Sequence, residues 1–335
     1  MRVLIAMSGG VDSAVAAGIV TAAGHEAEGC TLLLCEGGEG EAARAAEVSR
    51  RLGIPHRTLD LRREFFSRVM RPFAEEYARG RTPNPCVLCN RTVKLGLLCE
   101  YAEAEGFDAV ATGHYARREG DRLRMAKDEG KDQSYMLYTL SAERLSRLLF
   151  PLGELTKDEV RRRAAQWGLA EGTERESQDI CFVPSGDHAA AVEAILGRQI
   201  PAGNYVDKDG TVLGRHRGIV HYTVGQHKGL GIALGRVRYV TAISAERGEV
   251  TLGDEEELYR REVALRDVTY VGVAPTAPFR AVAKLRYRAR GAECTVYPEG
   301  AGARLLFDKA QRAPAPGQSA VLYDGEYVLG GGILQ

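Results

Sequence analysis

A glycine-rich turn near the N-terminus contains the residue types that bind a phosphate group. Residues 8–13 read Ser-Gly-Gly-Val-Asp-Ser and lie between an apolar run at 3–7 and an alanine-rich run at 14–20. Glycines let the backbone approach an anion, and a helix that begins after them offers free N–H groups and the positive end of its dipole. Ser8 and Ser13 add hydroxyl donors, but no lysine follows as it does in the Gly-x-x-x-x-Gly-Lys-Ser/Thr loop. The turn therefore predicts a phosphate-binding loop between a strand and a helix.

A pair of cysteines forms the second group of residues that could do chemistry. The segment 82–90 reads Thr-Pro-Asn-Pro-Cys-Val-Leu-Cys-Asn. Pro85 suits the first position of a helix, so we expect Cys86 and Cys89 in its first turn, where the helix dipole favours the thiolate. A Cys-x-x-Cys pair by itself fits redox chemistry, metal binding or packing, and these alternatives stay open at this point.

The other cysteines carry weaker signals. Cys181 stands where the polar run 176–179 changes to an apolar run, which by itself is typical of a buried core cysteine. The four remaining cysteines are interpreted as packing residues: Cys30, Cys35, Cys99 and Cys294. The chain has 7 cysteines, an odd number without regular spacing, which fits a reducing compartment, so we expect a cytoplasmic protein.

The composition is that of a protein with more than one domain. The chain has 335 residues, more than one domain usually contains. Its 45 basic residues balance 45 acidic residues, so a nucleic-acid partner would be bound by local basic clusters rather than by net charge. The N-terminus does not have the pattern of a signal peptide, and no apolar stretch approaches the length of a membrane span, so we expect no membrane partner.

Short apolar runs alternate with amphipathic stretches up to about residue 198. This alternation predicts a parallel sheet with helices on both faces, an α/β fold. We expect strands at 3–7, 27–34, 56–61 and 108–112, and helices at 12–23, 41–52, 62–79 and 86–105. Ligands of such sheets bind beyond the carboxyl ends of the strands. The loop at 8–10, the residues after Leu34 and residues 113–115 are therefore expected at one edge of the sheet.

After residue 198 the pattern changes to short β-like runs separated by glycine, aspartate and asparagine. The turn residues Asp324 and Gly325 lie between two such runs, which predicts a β-hairpin with a two-residue turn. The chain is accordingly divided into a catalytic domain at 1–198, a small β-rich central domain at 199–255 and a C-terminal antiparallel β-barrel at 256–335.

Several ordered motifs resemble those of the bacterial tRNA-specific 2-thiouridylases, which belong to the PP-loop N-type ATP pyrophosphatases. These motifs run through nearly the whole chain: AMSGGVDS at 6–13, TPNPCVLCN at 82–90, ATGHYAR at 111–117, KDQSY at 131–135, FPLGELTK at 150–157, ESQDICF at 176–182, YTVGQHKGLGI at 222–232, RYR at 286–288 and GQ at 317–318. The resemblance implies an α/β PP-loop catalytic domain, followed by the two β domains, in an enzyme that places sulfur on tRNA.

The resemblance also implies a reaction in two steps. ATP, with Mg²⁺, would adenylate O2 of the wobble uridine in the tRNAs for lysine, glutamate and glutamine, and sulfur would then displace AMP. Cys181 would carry the sulfur as a persulfide, and Cys89 would be the catalytic nucleophile that forms a disulfide with it by thiol exchange. Asp12 would lie beside the magnesium ion. The implied ATP-binding residues are Ala6, Met7, Ser8, Gly9, Gly10, Val11, Asp12, Ser13, Leu32 and Gly113.

The partners implied by the resemblance are the anticodon stem-loop of tRNA and a cysteine desulfurase or a sulfur-relay protein. Asn84, Pro85 and Cys86 would meet the target base, which has to leave its stack. The remaining implied tRNA contacts are His114, Lys131, Asp132, Gln133, Tyr287, Arg288 and Gln318. Alternate basic residues from Lys284 to Arg290 are further expected to share one face of a strand and to follow the phosphates.

Other functions and cofactors remain open from the sequence. Cys86, Cys89 and Cys181 could supply three thiolates to a [4Fe–4S] cluster, or could bind zinc together with His114. A PP-loop ligase that amidates a small carboxylate would need no cysteine pair. A non-catalytic RNA-binding module would use the β domains alone.

Overall fold

The computed structural model describes residues 1–169, 180–183 and 186–335. The strands of its N-terminal part are β1 (Arg2–Ala6), β2 (Glu26–Leu33), β3 (His56–Asp60), β4 (Ala109–Thr112), β5 (Arg117–Glu119), β6 (Arg122–Arg124) and β7 (Leu148–Leu149). Within these ranges, the order β3-β2-β1-β4-β7 forms a sheet whose neighbouring strands are all parallel. The expected parallel sheet is therefore confirmed, and the ends of its first four strands lie within one residue of their expected places.

Strand β1 lies at the centre of this sheet because its side chains are apolar on both faces. Val3, Leu4 and Ile5 are all 0% exposed, which is typical of a parallel strand that is covered from both sides. The last residue of β1, Ala6, pairs with Cys30 in β2 and with Thr112 in β4. The carboxyl ends of three strands therefore meet at one edge, as the sequence predicts.

The helices cover both faces of the sheet. They are α1 (Val11–Ala22), α2 (Glu39–Leu52), α3 (Arg62–Phe65), α4 (Arg71–Ala78), α5 (Pro85–Cys89), α6 (Leu98–Ala104), α7 (Ala142–Ser146), α8 (Lys157–Gln166) and α9 (His188–Leu196). Residues of α1 and α2 pack with Val3 and Ile5, whereas residues of α6 pack on the opposite side with Leu4. In the part of the chain that the structure describes, no helix is long and apolar enough to cross a membrane.

Two of the expected helices contain a π-helical turn. The turn Phe66–Met70 joins α3 to α4, and the turn Asn90–Leu97 joins α5 to α6. A π-turn is rare and widens the helix locally, and such turns are frequent at functional sites. The second turn follows the two clustered cysteines directly, so it changes the direction in which the next side chains point.

The middle of the chain forms a small sheet. Its strands are β8 (Gly203–Val206), β9 (Val212–His216), β10 (Tyr239–Ser244) and β11 (Glu249–Gly253), in the order β10-β11-β8-β9. Tyr205, Val240 and Val250 are fully buried in the core of this part, which also receives Phe73 and Tyr77 from α4. The middle sheet is thus packed against the catalytic part of the chain.

The C-terminal part forms a closed antiparallel barrel. Its strands are β12 (Tyr259–Tyr270), β13 (Phe279–Lys284), β14 (Ala292–Glu299), β15 (Gly302–Arg312), β16 (Ser319–Asp324) and β17 (Tyr327–Leu334). The order is β12-β15-β14-β13-β16-β17, and pairing between β12 and β17 closes the barrel. The expected hairpin is present, but Asp324 pairs with Tyr327, so the turn residues are Gly325 and Glu326 rather than Asp324 and Gly325. Gly325 takes a φ of 55°, which glycine adopts without strain.

One contact between the first part of the chain and the barrel has no counterpart in the sequence prediction. The short hairpin β5–β6 follows β4 but does not join the parallel sheet. It pairs with the barrel instead, where Arg124 of β6 lies opposite Tyr327 of β17. The guanidinium of Arg124 also bonds Glu326 at 2.6 Å. The barrel is therefore fixed to the catalytic part by backbone pairing as well as by side chains.

Candidate active site

The turn after β1 has the geometry of an anion-binding loop. Gly9 has a φ of +71°, and a Cβ atom there would lie 2.7 Å from the backbone oxygen of Glu41, so only glycine fits. The Ser13 hydroxyl accepts a hydrogen bond from the Ser8 amide at 3.2 Å and donates one to the Gly10 carbonyl at 3.0 Å. Among the described residues, no side chain caps the start of α1. Its first N–H groups are therefore available to a phosphate.

Gly113, at the end of β4, is packed against the same loop. A Cβ atom at this position would lie 2.9 Å from the Ser13 nitrogen and 3.0 Å from the Asp12 carbonyl carbon. Backbone atoms cannot move aside as the end of a side chain can. The glycine at 113 therefore lets the β4 turn and the phosphate loop touch, as expected for residues at one sheet edge.

The loop carboxylate Asp12 is paired with a lysine that the sequence analysis did not identify. The ammonium group of Lys157 donates to both Asp12 oxygens, at 2.7 and 2.8 Å, and the Tyr115 hydroxyl donates to Oδ1 at 2.7 Å. The side chain of Lys157 is only 6% exposed. Thr156 and Glu159 form a capping box that fixes the start of α8, where Lys157 is the first residue. The role of Asp12 beside magnesium stays a prediction.

The helix α5 presents its two cysteines in different environments. Asn84 is its N-cap, and the Asn84 amide oxygen accepts a hydrogen bond from the Cys86 nitrogen at 3.1 Å. Cys86 is exposed, whereas Cys89 is 6% exposed and lies in a cluster with Phe65 and Val93. The thiol that could act as a nucleophile is therefore the more enclosed of the two.

The expectation that the helix N-terminus favours thiolates at Cys86 and Cys89 is wrong. Desolvation raises the pKa of Cys86, and it raises the pKa of Cys89 to about 11, while the nearby positive charge of Lys94 lowers both pKa values less. The cost of a charge in a desolvated site therefore outweighs the effect of the helix N-terminus and decides the sign. Burial thus disfavours the thiolate at both positions.

Cys181 differs from the other two cysteines in its ionisation. The thiol of Cys35 makes a hydrogen bond to Cys181 and lowers the pKa of Cys181 to about 7; desolvation opposes this shift and the charge of Lys94 supports it. The same hydrogen bond and burial raise the pKa of Cys35. Cys181 is exposed, so at neutral pH this structure offers an accessible thiol with substantial thiolate character.

Cys35 packs against hydrophobic side chains, as interpreted from the sequence, but it also acts on the ionisation of Cys181. Besides its contact with Cys181, Cys35 packs against the cluster that contains Cys89. A signal was present in the sequence, because the rule for strand ends brought the residues after Leu34 to this edge. The other three packing interpretations agree with the structure, since Cys30, Cys99 and Cys294 are buried in hydrophobic clusters.

Lys94 is the cation of this thiol site. It lies on the π-helical turn after Cys89, and the charges of Cys89, Cys181 and Cys86 raise its pKa against the effect of desolvation. Desolvation and the Lys94 charge lower the pKa of His114 to about 3, so His114 is a neutral hydrogen-bonding group. Thr112, the last residue of β4, fixes the imidazole ring of His114, because the Thr112 hydroxyl lies 2.9 Å from Nδ1.

A metal centre does not fit these side chains as they stand. In the ranges that the structure describes, no group of three or more His, Cys, Asp or Glu side chains is arranged to hold a metal ion. The charge of Lys94 acts on all three thiols and would oppose a cation among them. Neither the [4Fe–4S] cluster nor the zinc site enters the mechanism below.

Two of the residues predicted to contact tRNA, Asp132 and Gln133, accept hydrogen bonds from other residues of the protein. Asp132 is 5% exposed, and its carboxylate accepts hydrogen bonds from the Ala126 and Ser134 nitrogens and from the Ser134 hydroxyl. The side-chain oxygen of Gln133 accepts a hydrogen bond from the Tyr115 nitrogen at 2.9 Å. Their contact with tRNA, like that of the neighbouring Lys131, stays a prediction.

The expected basic face of a strand is not formed beyond Lys284. Strand β13 ends at this residue, and 285–290 turn back toward β14. Lys284 lies over the ring of Tyr323, 5.0 Å from its centroid, instead of facing outward. A short return between antiparallel strands cannot keep the alternation of an extended strand. Tyr287 contacts the ring of Tyr135 at 5.8 Å, and Arg288 is exposed.

The residues 176–179 of the motif before Cys181 lie outside the described residues. The structure places Cys181 itself, and the phenyl ring of Phe182 meets Phe65 and Phe73 edge-on at 5.7 and 5.1 Å. These contacts hold the end of the Cys181 segment against α3 and α4, and Phe65 also packs in the cluster that contains Cys89.

Family profiles match three successive parts of the chain. The profile described as the tRNA methyl transferase HUP domain matches residues 1–185, and the tRNA methyl transferase PRC-barrel domain matches residues 190–254. The profile described as the Aminomethyltransferase beta-barrel domain matches residues 260–334. Each of the three sheets lies largely within one matched segment.

Curated relatives are similar over the full length of the chain. The tRNA-specific 2-thiouridylase MnmA of Acetivibrio thermocellus is 42% identical and aligns with 100% of this chain and 99% of its own length. The proteins of the same name from Desulforudis audaxviator and Moorella thermoacetica are 46% and 44% identical, with 99% of this chain and 98% and 99% of the relatives covered. A solved U34-tRNA thiolase NcsA from Methanococcus maripaludis is 14% identical with a TM-score of 0.37 over 59% of this chain and 71% of its own, too distant to carry an argument.

Proposed function

The chain belongs to the tRNA-specific 2-thiouridylase family, and we propose that it makes 2-thiouridine with Cys181 as the sulfur carrier and Cys89 as the nucleophile. As a member of this family it is a tRNA-uridine 2-sulfurtransferase of the PP-loop ATP pyrophosphatase type. This membership favours sulfur transfer over the amidation of a small carboxylate and over RNA binding without catalysis.

The observation that carries the proposal is that the segment from Cys35 to Glu41 contacts both the phosphate loop and the cluster that contains Cys89. The backbone oxygen of Glu41 packs against Gly9 of the loop. The Glu41 carboxylate acts on the ionisation of Cys35, Cys181 and Lys94. A base that is activated at the loop is therefore close to the sulfur chemistry, as a two-step reaction requires.

The first step activates the base. Oxygen O2 of the wobble uridine attacks the α-phosphorus of ATP, so that an O2–P bond forms and the bond to pyrophosphate breaks. The N–H groups at the start of α1, with the hydroxyls of Ser8 and Ser13, bind the departing pyrophosphate. Use of ATP and Mg²⁺ fits the PP-loop type of the family. Asp12 is the loop carboxylate that would share the magnesium ion with the phosphates.

The second step delivers sulfur. The terminal sulfur of a Cys181 persulfide attacks C2, and AMP leaves with the former O2 atom. The thiolate of Cys89 attacks the inner sulfur of Cys181, so that a Cys89–Cys181 disulfide forms and the C2=S group is released. An external dithiol reductant then restores both thiols. The positive charge of Lys94 favours the Cys89 thiolate, which the enclosed position of Cys89 otherwise disfavours.

The proposed partners follow from these steps. The substrate is the anticodon stem-loop of tRNA, whose unstacked bases are accessible to an enzyme. The sulfur comes from a cysteine desulfurase or a relay protein that hands a persulfide to the exposed Cys181. The proposed location is the cytoplasm, where tRNA, ATP and reduced thiols occur together.

Nucleoside mass spectrometry tests the proposed function. The purified chain is incubated with unmodified tRNA, ATP, Mg²⁺, cysteine and a desulfurase, and 2-thiouridine, AMP and pyrophosphate are measured. Cys89→Ala and Cys181→Ala should abolish 2-thiouridine, whereas Cys294→Ala, a change in the barrel core, should retain it. If the wild-type chain forms no 2-thiouridine, or if Cys181→Ala retains full activity, the proposal is wrong.

A further inference from the structure

Three loops from the three matched parts of the chain meet at Thr82. This residue precedes Pro85, the first residue of the helix that carries Cys86 and Cys89. This helix continues through the π-helical turn Asn90–Leu97 into α6, and its first turn, which carries both cysteines, is the end that the preceding chain enters. Its position therefore depends on what holds the chain immediately before it.

The barrel holds both backbone groups of Thr82. The Thr82 nitrogen donates to the Pro316 oxygen at 2.7 Å, and the side-chain amide of Gln318 donates to the Thr82 oxygen at 2.8 Å. Between them, Gly317 has a φ of +92°, and a Cβ atom there would lie 2.9 Å from the Thr82 nitrogen. The turn at 316–318 therefore fits against Thr82. Among the described residues of this turn, only Gln318 bonds Thr82 through its side chain.

The middle domain holds the side chain of Thr82. Its hydroxyl donates to the Thr223 hydroxyl at 3.2 Å, and the Gln226 side chain accepts from the Thr223 nitrogen at 3.1 Å. A Cβ atom on Gly225, which has a φ of +92°, would lie 2.7 Å from the Cβ of Ala313 in the barrel. Residues 222–226 (YTVGQ) have no role in the proposed reaction or in the predicted tRNA contacts. They form one side of the three-part contact around Thr82, here named the joint.

An ion pair strengthens the joint beside Thr82. The carboxylate of Glu76 accepts from Arg81 at 2.6 Å and from Arg266 of β12 at 3.0 Å. The Glu76 side chain is 18% exposed, so these bonds are shielded from solvent. The residue before Thr82 is therefore tied to the barrel through a shared carboxylate.

We propose that Gln318 is a positioning residue, whose side-chain amide holds Thr82 and so sets the place of the Cys86–Cys89 helix relative to the rest of the site. The resemblance to the family assigns Gln318 to tRNA alone. The joint gives it a task in the free enzyme: together with the Pro316 carbonyl, the Gln318 amide links the barrel to the segment that leads into the helix of the catalytic thiols. The proposal rests on the proposed function only for the role of Cys89.

Measurements without tRNA separate this role from an RNA contact. In Gln318→Met the side chain keeps its length but loses the hydrogen bond to Thr82. We expect hydrogen exchange of the amides in 82–90, and alkylation of Cys89 by iodoacetamide, to rise by about five-fold, the effect of one lost hydrogen bond. The kcat for 2-thiouridine formation should fall more than the KM for tRNA rises. Gln311→Met is the matched control, because the Gln311 amide bonds only within β15, to Lys309, and should change none of these values.

A second variant keeps the test open if Gln318→Met does not fold. Thr223→Val removes the hydroxyl contact with Thr82 and should raise the same exchange and alkylation rates by a smaller factor. Unchanged exchange and alkylation in both folded variants, with only the KM for tRNA raised in Gln318→Met, would overturn the proposal. Thiolation by Cys89→Ala would instead overturn the proposed function, and the exchange data would still decide the role of Gln318.

Discussion

The phosphate loop and the thiol site lie at the same edge of the same sheet but are built in different ways. The loop is one continuous stretch, residues 8–13, whose shape follows from its own glycines and from the helix that begins after it. The thiol site combines Cys35 after β2, Cys89 and Lys94 on a helix with a π-turn, and Cys181 from a distant segment. A continuous motif reveals its chemistry in the sequence, whereas an assembled site has electrostatics that depend on every part.

The largest effect is expected at the ion pair that joins the phosphate loop to a distant helix, the Asp12–Lys157 pair. Lys157→Met leaves a partly buried carboxylate without its cation and should lower the free energy of unfolding by about 3 kcal/mol, measured by urea denaturation. Lys127→Met is the control, because Lys127 is 51% exposed and its nitrogen is 4.0 Å from Glu159, so this change should cost little.

The double variant Asp12→Asn with Lys157→Met should recover part of the lost stability, since no charge is then left unpaired. If Lys157→Met lowers the free energy of unfolding no more than Lys127→Met does, the loop does not depend on the distant lysine. The phosphate loop would then be more local than we describe.

A smaller but still large effect is expected where β4 touches the loop. Gly113→Ala places a Cβ atom 2.9 Å from the Ser13 nitrogen, so backbone has to shift. We expect ATP to bind about ten-fold more weakly, the size of a modest overpacking penalty, as measured by titration calorimetry. Gly130→Ala, where the nearest atom is a side-chain oxygen at 3.4 Å, should bind ATP normally. Unchanged ATP affinity in Gly113→Ala would place the nucleotide elsewhere.

In the thiol site, the contact between Cys35 and Cys181 should have the next largest effect. The hydrogen bond from Cys35 lowers the pKa of Cys181 to about 7, so Cys35→Ala should raise that pKa and slow the alkylation of Cys181 about five-fold at pH 7. The midpoint of the pH profile of alkylation should move upward. Cys35→Ser keeps a donor and should restore most of the rate; equal profiles for wild type and Cys35→Ala would contradict the assembled site.

The smallest effect is expected from Lys94, whose charge acts on Cys181 less strongly than the Cys35 hydrogen bond does. Lys94→Met should raise the pKa values of Cys181, Cys89 and Cys86 together and slow alkylation of each by about two-fold at pH 6, below all three pKa values. The same pH titration followed by peptide mass spectrometry measures all three. Lys208→Met, a change in the middle domain, is the control. If the alkylation rate changes at one cysteine alone, the charge of Lys94 does not act on all three thiols.

Much of the fold could be predicted from the sequence because periodicity and burial agree. The runs that form β1 and β4 are buried along most of their length, and all of β1 to β4 fall where expected. The π-turn at Asn90–Leu97 could not be predicted, because it changes the pairing of backbone groups without changing the apolar spacing. Nor could the addition of β5–β6 to the barrel, since residues 117–124 carry no signal for a partner 200 residues away.

The phosphate loop and the cysteine pair could be identified from the sequence, but the charges around them could not. The Gly-rich loop and the cysteine pair follow from local motifs, but the helix-dipole argument gave the wrong sign for the pKa of Cys89, because desolvation outweighs the effect of the helix N-terminus. Lys157 and Cys35 were missed since their partners come from distant segments. A basic residue at the start of a helix beside a loop that lacks a lysine is the signal that could have indicated Lys157.

The central claim is that Cys181 carries the sulfur and Cys89 releases it. The most direct test loads the wild-type enzyme with persulfide sulfur from a desulfurase and cysteine, removes the donor, and maps the sulfur by peptide mass spectrometry before and after one turnover with ATP and tRNA. The account predicts one added sulfur atom on Cys181 before turnover, and afterwards 2-thiouridine in the tRNA together with a Cys89–Cys181 disulfide. Sulfur on Cys35 or Cys86 instead, or 2-thiouridine formed while Cys89 and Cys181 remain free thiols without reductant, would contradict it.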